Sequence, residues 1–195
     1  MSLGRQSKVL SKKQVAAVSG YLRDRRNGLR NETIFLLSVK AGLRAKEIAE
    51  LEWEMVLTSD GEVGKEILLT NTASKGSNGG RVIPLHPQIR LNLIELRKVK
   101  GGKGHDRVVT SERSNGVSSQ VIVNMFQRWY RDLGLEGCSS HSGRRTFITM
   151  TARQISTVGG SLRDIQYLAG HSSLQTTQRY IEGDSKSRVK VVGLL

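Results

Sequence analysis

The sequence predicts a mainly α-helical fold with a small antiparallel β-sheet, an α+β class. Apolar residues recur with helical spacing along most of the 195 residues, whereas one segment, residues 54–84, has short apolar runs separated by turn residues. A chain of this length fits one domain with its own core. The sequence shows no internal repeat and no low-complexity tract.

Local signals predict the first helices. A capping-box pattern at Ser11 opens a helix that runs to about Arg25. Asn31 is expected to cap the next helix, whose nearly continuous apolar residues from Thr33 to Ala41 indicate burial on most sides. Gly42 ends that helix, and another helix starts directly after it.

The following segment is expected to form the sheet. Two apolar runs, Met55-Val56-Leu57 and Ile67-Leu68-Leu69, flank the turn signal Ser59-Asp60-Gly61, which predicts a β-hairpin. A third strand at Arg81-Val82-Ile83-Pro84 follows a glycine-rich loop, and Lys75 lies on the tip of that loop.

Five further helices are expected after the sheet. They span residues 87–99, 118–133 and 141–154, then begin at Ser161 and at Ser172 or Ser173. The domain organisation follows: residues 1–10 are a tail or a cloning remnant, 11–184 form the domain, and 185–195 form a C-terminal segment. That segment is too apolar to stay uncovered, so it is expected to pack on this chain or on a neighbouring subunit.

The charge balance points to a polyanionic partner. Thirty-one Lys and Arg residues against seventeen Asp and Glu residues give a net charge of +14, which nucleic acid explains most simply. A membrane surface, an acidic protein or solubility alone are the alternatives, but no stretch of about eighteen apolar residues exists. The single cysteine, Cys138, cannot form an internal disulfide and fits the reducing cytoplasm.

The last third of the chain carries polar residues that helices do not need for stability. His141 and Arg144 are three residues apart and project from one helix face. His171 and Tyr180 are nine residues apart, and an unbroken helix would place them on opposite faces. A break at Gly170 is therefore required if both residues serve one site.

Two earlier features, the Arg44–Glu47 pair and Lys75, each allow a non-functional and a functional interpretation. Arg44 and Glu47 form either a surface ion pair, worth about 0–1 kcal/mol, or a phosphate-binding arginine held by a carboxylate. Lys75 is either a solvated surface charge or a general acid on a flexible loop.

Together these groups suit chemistry on a phosphodiester. Guanidinium groups can neutralise the phosphate oxygens in the transition state, and a tyrosine phenol can attack phosphorus and conserve the bond energy in a covalent intermediate. No metal or ATP is needed, so no cofactor is expected, and no phosphate-binding GxxxxGK motif is present. The candidate catalytic residues are Arg44, Lys75, His141, Arg144, His171 and Tyr180.

In sequence order, these residues resemble the motifs of the tyrosine recombinases, also called phage integrases. The resemblance covers residues 11–182 and consists of five matches. They are Gly-Leu-Arg-x-x-Glu-Ile around Arg44, the loop lysine Lys75, His-x-x-Arg at 141–144, Leu-Ala-Gly-His at 168–171, and Tyr180. Smaller departures are Gly143, where leucine is common, and Arg145, where histidine is common.

The resemblance implies the tyrosine recombinase catalytic-domain fold, also called the DNA breaking-rejoining fold, and a role for each residue. Tyr180 would form a 3′-phosphotyrosyl link, Arg44 and Arg144 would hold the phosphate, and Lys75 would protonate the leaving 5′ oxygen. His141 would act as a base or hydrogen-bond partner, His171 would bond a phosphate oxygen, and Glu47 would give structural support. Lys46, Arg81 and Arg145 are expected to contact DNA.

The resemblance also implies partners: double-stranded DNA, three further copies of the chain in a homo-tetramer on two DNA sites, and DNA-bending accessory proteins, with no membrane. The family usually has an N-terminal DNA-clamping domain, so the chain is expected to be a fragment or one of the short members such as the fimbrial-switch invertases. Two alternatives remain open, a type IB topoisomerase and a DNA-binding protein of the same fold that does not cut.

Overall fold

Helix α2 (Gly28–Ala41) lies at the centre of the fold because nearly all of its surface is covered by other elements. Eleven of its fourteen residues are buried, including Phe35 and Leu36. Helices α1, α4 and α6 pack around it. Such all-round burial is what its nearly continuous apolar sequence predicts.

This architecture comes from a computed structural model, which describes residues 7–70, 80–181 and Gly193. The remaining α-helices of the described residues are α1 (Lys12–Arg23), α3 (Ala45–Ala49), α4 (Pro87–Lys100), α5 (Ser119–Asp132), α6 (Ser140–Gln154), α7 (Leu162–Ala169) and α8 (Leu174–Ile181), and short 3₁₀ helices span Trp53–Met55 and Ile155–Val158. Strands β1 (Glu66–Leu69) and β2 (Arg81–Pro84) pair antiparallel, with Ile67 opposite Ile83. The predicted fold class, mainly helical with a small antiparallel sheet, is confirmed. None of the described helices is both long enough and apolar enough to cross a bilayer.

Capping signals placed several helix ends correctly. The Ser11 hydroxyl accepts a hydrogen bond from the Gln14 backbone N–H, and the Gln14 side-chain oxygen accepts one from the Ser11 N–H, so α1 begins at the predicted capping box. Gly42 ends α2 in the left-handed conformation, with φ of 69°.

The predicted cap at Asn31 is wrong, because α2 begins earlier in the chain. Asn31 lies one turn inside the helix and its amide donates to the backbone oxygen of Arg26. The tight turn before α2 has Asn27 in the left-handed region, with φ of 58°. A Cβ on Gly28 would lie 2.2 Å from the carbonyl oxygen of Arg23, so only glycine permits this close chain reversal.

The predicted hairpin of 55–57 with 67–69 is also wrong in its first strand. Residues Trp53–Met55 form a short 3₁₀ helix, and Leu57 makes only an isolated bridge, to Val63. The backbone before the turn bonds elsewhere: the Trp53 N–H donates to the Asp106 carbonyl. The described sheet therefore has two strands, the predicted second and third.

Two predicted segments fall partly or wholly outside the described residues. Lys75 lies outside them, as does the C-terminal segment 185–195 apart from Gly193. At the other end, Leu10 is buried in the core and its N–H donates to Thr146 Oγ1 at 2.8 Å. Leu10 thus packs on the domain from just outside its predicted boundary.

Candidate active site

The carboxyl end of α7 is the point where the candidate residues meet. Three consecutive backbone carbonyls at this end each accept a hydrogen bond from a different arginine. Arg81 Nε lies 3.1 Å from the Leu168 oxygen, Arg144 donates to the Ala169 oxygen, and Arg44 Nη2 lies 3.1 Å from the Gly170 oxygen. Helix ends leave such carbonyls without partners inside the helix and carry partial negative charge, which attracts cations.

Glu47 lies between two of these arginines and is only 1% exposed. Its Oε1 accepts from Arg44 Nη1 at 2.8 Å, and its two oxygens accept from Arg81 Nη1 and Nη2 at 2.9 and 3.0 Å. Its Oε2 also accepts from the Arg44 backbone N–H at 2.8 Å, which fixes the start of α3. Burial opposes ionisation, but the hydrogen bonds and charges of the arginines outweigh it and lower the pKa of Glu47. Glu47 is thus buried and Arg44 is only partly exposed, an arrangement that differs from a surface ion pair.

Arg144 projects from the second turn of α6 and is 4% exposed. Its guanidinium donates to the backbone oxygens of Gly42 and Ala169, which ties the end of α2 to the end of α7. Burial, and then repulsion from Arg44 and Arg81, lower the pKa of Arg144 to about 10. The group therefore stays protonated at neutral pH and presents a fixed positive charge.

His171 follows the predicted break directly. Gly170 ends α7 in the left-handed region with φ of 59°, and His171 Nδ1 then lies 2.9 Å from the buried Thr177 Oγ1. Burial, followed by the charges of Arg144, Arg44 and Arg81, lowers the pKa of His171 to about 4. The imidazole is therefore neutral at pH 7.

Tyr180 lies near the end of α8, on the other side of that break. Its ring stacks on the His171 ring, with 5.4 Å between centroids and 19° between planes. The Arg145 guanidinium lies 5.6 Å from the centroid of the same ring. The two short helices joined at Gly170 thus bring residues nine positions apart into contact, as the sequence required.

His141 lines the same cavity as Tyr180. Its side chain is exposed, and the cavity has a volume of about 290 Å³. The other lining residues are Ser7, Arg145, Thr176, Arg179 and Tyr180. A larger cavity of about 930 Å³, between α1, α2 and α6, contains none of the described candidate residues.

The structure therefore brings together five of the six candidate catalytic residues and leaves the sixth, Lys75, outside the described residues. Of the candidate DNA contacts, Lys46 is exposed and Arg145 faces Tyr180. Arg81 is 6% exposed and bonded to Glu47 and Leu168, so its guanidinium is turned into the protein. Sequence reasoning missed this placement, and it missed Thr177, for which no local signal exists.

One group of side chains outside the candidate active site has the composition of a metal site. Glu52, Glu54 and His105 bring their ligand atoms within 4.8 Å of one another. Arg107 already pairs with Glu52, at 3.1 Å, and the imidazole is 84% exposed. Exposed acidic groups beside a histidine are common on protein surfaces, and we assign no metal to this group.

Comparison with known proteins agrees with this geometry. The family model described as the phage integrase family matches residues 8–186, almost the entire chain. The chain belongs to the phage integrase family. The expected membership is thereby confirmed, and the match spans every candidate residue, including Lys75.

Curated relatives within the family are tyrosine recombinases. Tyrosine recombinase XerC of Xanthomonas axonopodis pv. citri is 27% identical over 165 residues, which are 84% of this chain and 50% of the relative. Tyrosine recombinase XerA of Pyrococcus horikoshii is 27% identical over 164 residues, 82% of this chain and 53% of the relative. The chain thus spans about half the length of the curated relatives it matches.

Solved structures of recombinases and integrases have the same fold as this chain. XerA recombinase superposes with a TM-score of 0.73 at 20% identity, covering 95% of this chain and 64% of that one. A lambda integrase dimer bound to a COC′ core site gives a TM-score of 0.69 at 21% identity, over 92% of this chain and 60% of that one. The predicted breaking-rejoining fold is confirmed.

Proposed function

We propose that this chain is the catalytic part of a site-specific DNA recombinase, which cleaves and rejoins strands through a 3′-phosphotyrosyl intermediate. The observation that carries the proposal is the convergence of Tyr180, His171, Arg44 and Arg144 at the break between α7 and α8. A phenol beside a neutral imidazole and two fixed guanidiniums suits nucleophilic attack on a phosphodiester. The names of the relatives support the same activity.

In the first step, the Tyr180 oxygen forms a bond to the scissile phosphorus while the bond from phosphorus to the 5′ oxygen breaks. Arg44 and Arg144 neutralise the two non-bridging oxygens as charge increases, and His171 donates a hydrogen bond to one of them. Each such group contributes on the order of 3–4 kcal/mol of transition-state stabilisation. The arginines need no reorganisation, since backbone carbonyls already hold them.

Two protons move in this step. The phenol proton passes to His141, whose side chain lines the same cavity as Tyr180. The leaving 5′ oxygen takes a proton from Lys75, a role proposed from the sequence alone. Attack of a 5′-hydroxyl from another strand reverses both transfers, so rejoining needs no ATP and no metal.

The assembly belongs to the same proposal. We place the catalytic unit at residues 11–184 and expect a homo-tetramer on two double-stranded DNA sites, with DNA-bending accessory proteins, in the cytoplasm. Lambda integrase and the Tn1549 transposon integrase have been solved with DNA, which supports DNA as the partner here. The C-terminal segment 185–195 is proposed to pack on this subunit or on a neighbour.

A strand-exchange assay tests the proposal. Plasmids that carry two copies of the ends of the parent element would be incubated with the protein in EDTA and without ATP. The proposal predicts site-dependent recombinant products. Relaxation of a supercoiled plasmid without those ends would instead support the type IB topoisomerase alternative, and binding without any strand breakage would support the non-cutting one.

A further inference from the structure

Arg81 has a geometry unlike that of a DNA-contacting residue. Both terminal nitrogens bond the Glu47 carboxylate, and Nε bonds the Leu168 carbonyl. This bidentate arrangement uses all three nitrogens of the guanidinium in contacts inside the protein. Arg144 is just as buried, at 4% against 6%, but it donates only to neutral carbonyls. The Arg81 charge is already paired with the Glu47 carboxylate, so Arg81 is part of the buried support beneath the site.

The turn that carries His171 packs directly on this guanidinium. A Cβ on Gly170 would lie 2.7 Å from Arg81 Nη1, so the close approach requires glycine at that position. Next to Arg81, the Val82 N–H donates to the Tyr167 hydroxyl at 3.2 Å. Strand β2 is thus joined to α7 at two adjacent residues, immediately before the helix end.

The balance of charges around Glu47 indicates a second role for Arg81. Three guanidiniums, those of Arg44, Arg81 and Arg144, surround one carboxylate, Glu47, which leaves a net charge of +2. Without Arg81, the Glu47 charge would be compensated mainly by Arg44, the more exposed partner with 27% of its side chain accessible. A bound phosphate would then compete with Glu47 for the Arg44 guanidinium.

We propose that Arg81 is a positioning residue: it neutralises Glu47 and fixes the end of α7, so that Arg44 keeps its charge for a phosphate and His171 stays in place. This inference rests on the proposed function for the identity of the anion. Arg81 itself does not touch the phosphate and acts through Glu47 and the Leu168 carbonyl.

Inorganic phosphate is the probe for the test. It would be titrated into the full chain while the histidine ring signals are followed by NMR, in wild type and in Arg81→Lys, Arg81→Met and Arg90→Met. Arg90 is a matched control, since it also donates to backbone carbonyls, those of Val63 and Gly64, which come just before β1 in the sequence. Thermal unfolding of each variant shows whether it is folded.

The proposal predicts saturable binding by wild type and by Arg90→Met, with dissociation constants within about twofold of each other. Arg81→Met is expected to bind at least about tenfold more weakly, which corresponds to about 1.4 kcal/mol. Arg81→Lys keeps a charge beside Glu47 but cannot bridge two carboxylate oxygens and a carbonyl, so an intermediate loss is expected.

Loss of one partner from a buried ion pair is strongly destabilising, and Arg81→Met is therefore the variant at risk of unfolding. If Arg81→Met does not fold, the phosphate affinity of Arg81→Lys is compared with that of wild type instead. A purely structural role would lower the melting temperature and leave the phosphate affinity of the folded protein unchanged. Affinities within twofold of wild type in the folded Arg81 variants, or no saturable binding by wild type, would overturn the proposal.

Covalent trapping on nicked DNA separates this inference from the recombinase proposal. If wild type forms no adduct although phosphate affinity depends on Arg81, the recombinase proposal fails alone. If wild type forms adducts and Arg81→Lys does so at the same rate, the positioning role fails alone.

Discussion

The ring of Tyr180 stacks on the imidazole of His171, with 5.4 Å between their centroids and 19° between their planes. The contact joins the end of α8 to the turn after α7, and Thr177 Oγ1, 2.9 Å from Nδ1, helps to fix the orientation of the imidazole. The position of the proposed nucleophile therefore depends on the placement of one histidine.

The lowered pKa of His171 predicts a pH-dependent stability. In the folded protein the pKa is about 4, below the ordinary value of about 6.5 that the unfolded chain regains. As pH falls from about 6.5 to about 4, the unfolded state binds a proton that the folded state does not, and the free energy of unfolding decreases. The charges that oppose protonation face the ring from Arg144, Arg44 and Arg81.

Denaturant unfolding at pH 7 and pH 5 checks this prediction in wild type and in His171→Asn. Burial, and then the charge of Lys40, also lower the pKa of His86, which contributes a stability change of the same sign, so the comparison with the variant isolates His171. Wild type is expected to lose more stability than His171→Asn between the two pH values. An equal loss in both proteins would contradict the assignment.

Replacement of Arg144 by alanine should lower the cleavage rate with little effect on DNA binding. The fixed guanidinium is proposed to stabilise charge that develops only in the transition state, worth about 3–4 kcal/mol. We therefore expect a fall of at least about 100-fold in single-turnover cleavage. Arg128→Ala, an exposed position on α5, serves as the control. A loss below about tenfold in Arg144→Ala would count against its role.

Close packing of α6 on α2 predicts that Gly143 cannot be enlarged. A Cβ at this position would lie 2.4 Å from Ser38 Oγ and 3.0 Å from Ser38 Cβ. Gly143→Ala is expected to destabilise the protein by about 1–3 kcal/mol, and Ser38→Ala should relieve part of that loss. Gly20→Ala, in α1 with open space around it, should instead stabilise by about 0.5–1 kcal/mol. Chemical denaturation gives the free energy of unfolding of wild type, Gly143→Ala, Gly143→Ala with Ser38→Ala, and Gly20→Ala. An unchanged free energy of unfolding in Gly143→Ala would contradict the close packing.

The excess of basic residues predicts a steep salt dependence of DNA binding. Each phosphate that the protein neutralises should lower the logarithm of affinity by about 0.9 per unit of log salt concentration on duplex DNA. Lys46→Ala, which removes an exposed candidate contact beside Arg44, is expected to reduce that slope by about one unit. A slope near zero would mean that the +14 net charge serves some other purpose.

Sequence patterns predicted those features that depend on neighbouring residues. Helical spacing and the capping residues around Ser11, Gly42 and Ser161 placed the helices, since each signal acts within about one turn. The break at Gly170 followed from the spacing of two residues on a helix. The start of α2 was missed because it depends on one tight glycine contact.

Features that depend on distant residues were not predictable in this way. The Arg44–Glu47 pattern is the same on a surface as in a core. The structure adds a second partner for the buried Glu47 carboxylate, Arg81, which lies 34 residues further along the chain. Arg81 itself resembles any basic residue of a DNA-binding chain. Its inward position follows from the Leu168 carbonyl, 87 residues away, which no local pattern reveals.

The most direct test of the central claim is a covalent trap on nicked duplexes taken from the ends of the parent element. Wild type and Tyr180→Phe would be incubated with these duplexes and denatured, and the DNA retained on protein would be sequenced. We predict adducts in wild type alone, at one repeated position, with DNA binding equal in both proteins. Adducts that persist in Tyr180→Phe would contradict the assignment of Tyr180 as the nucleophile.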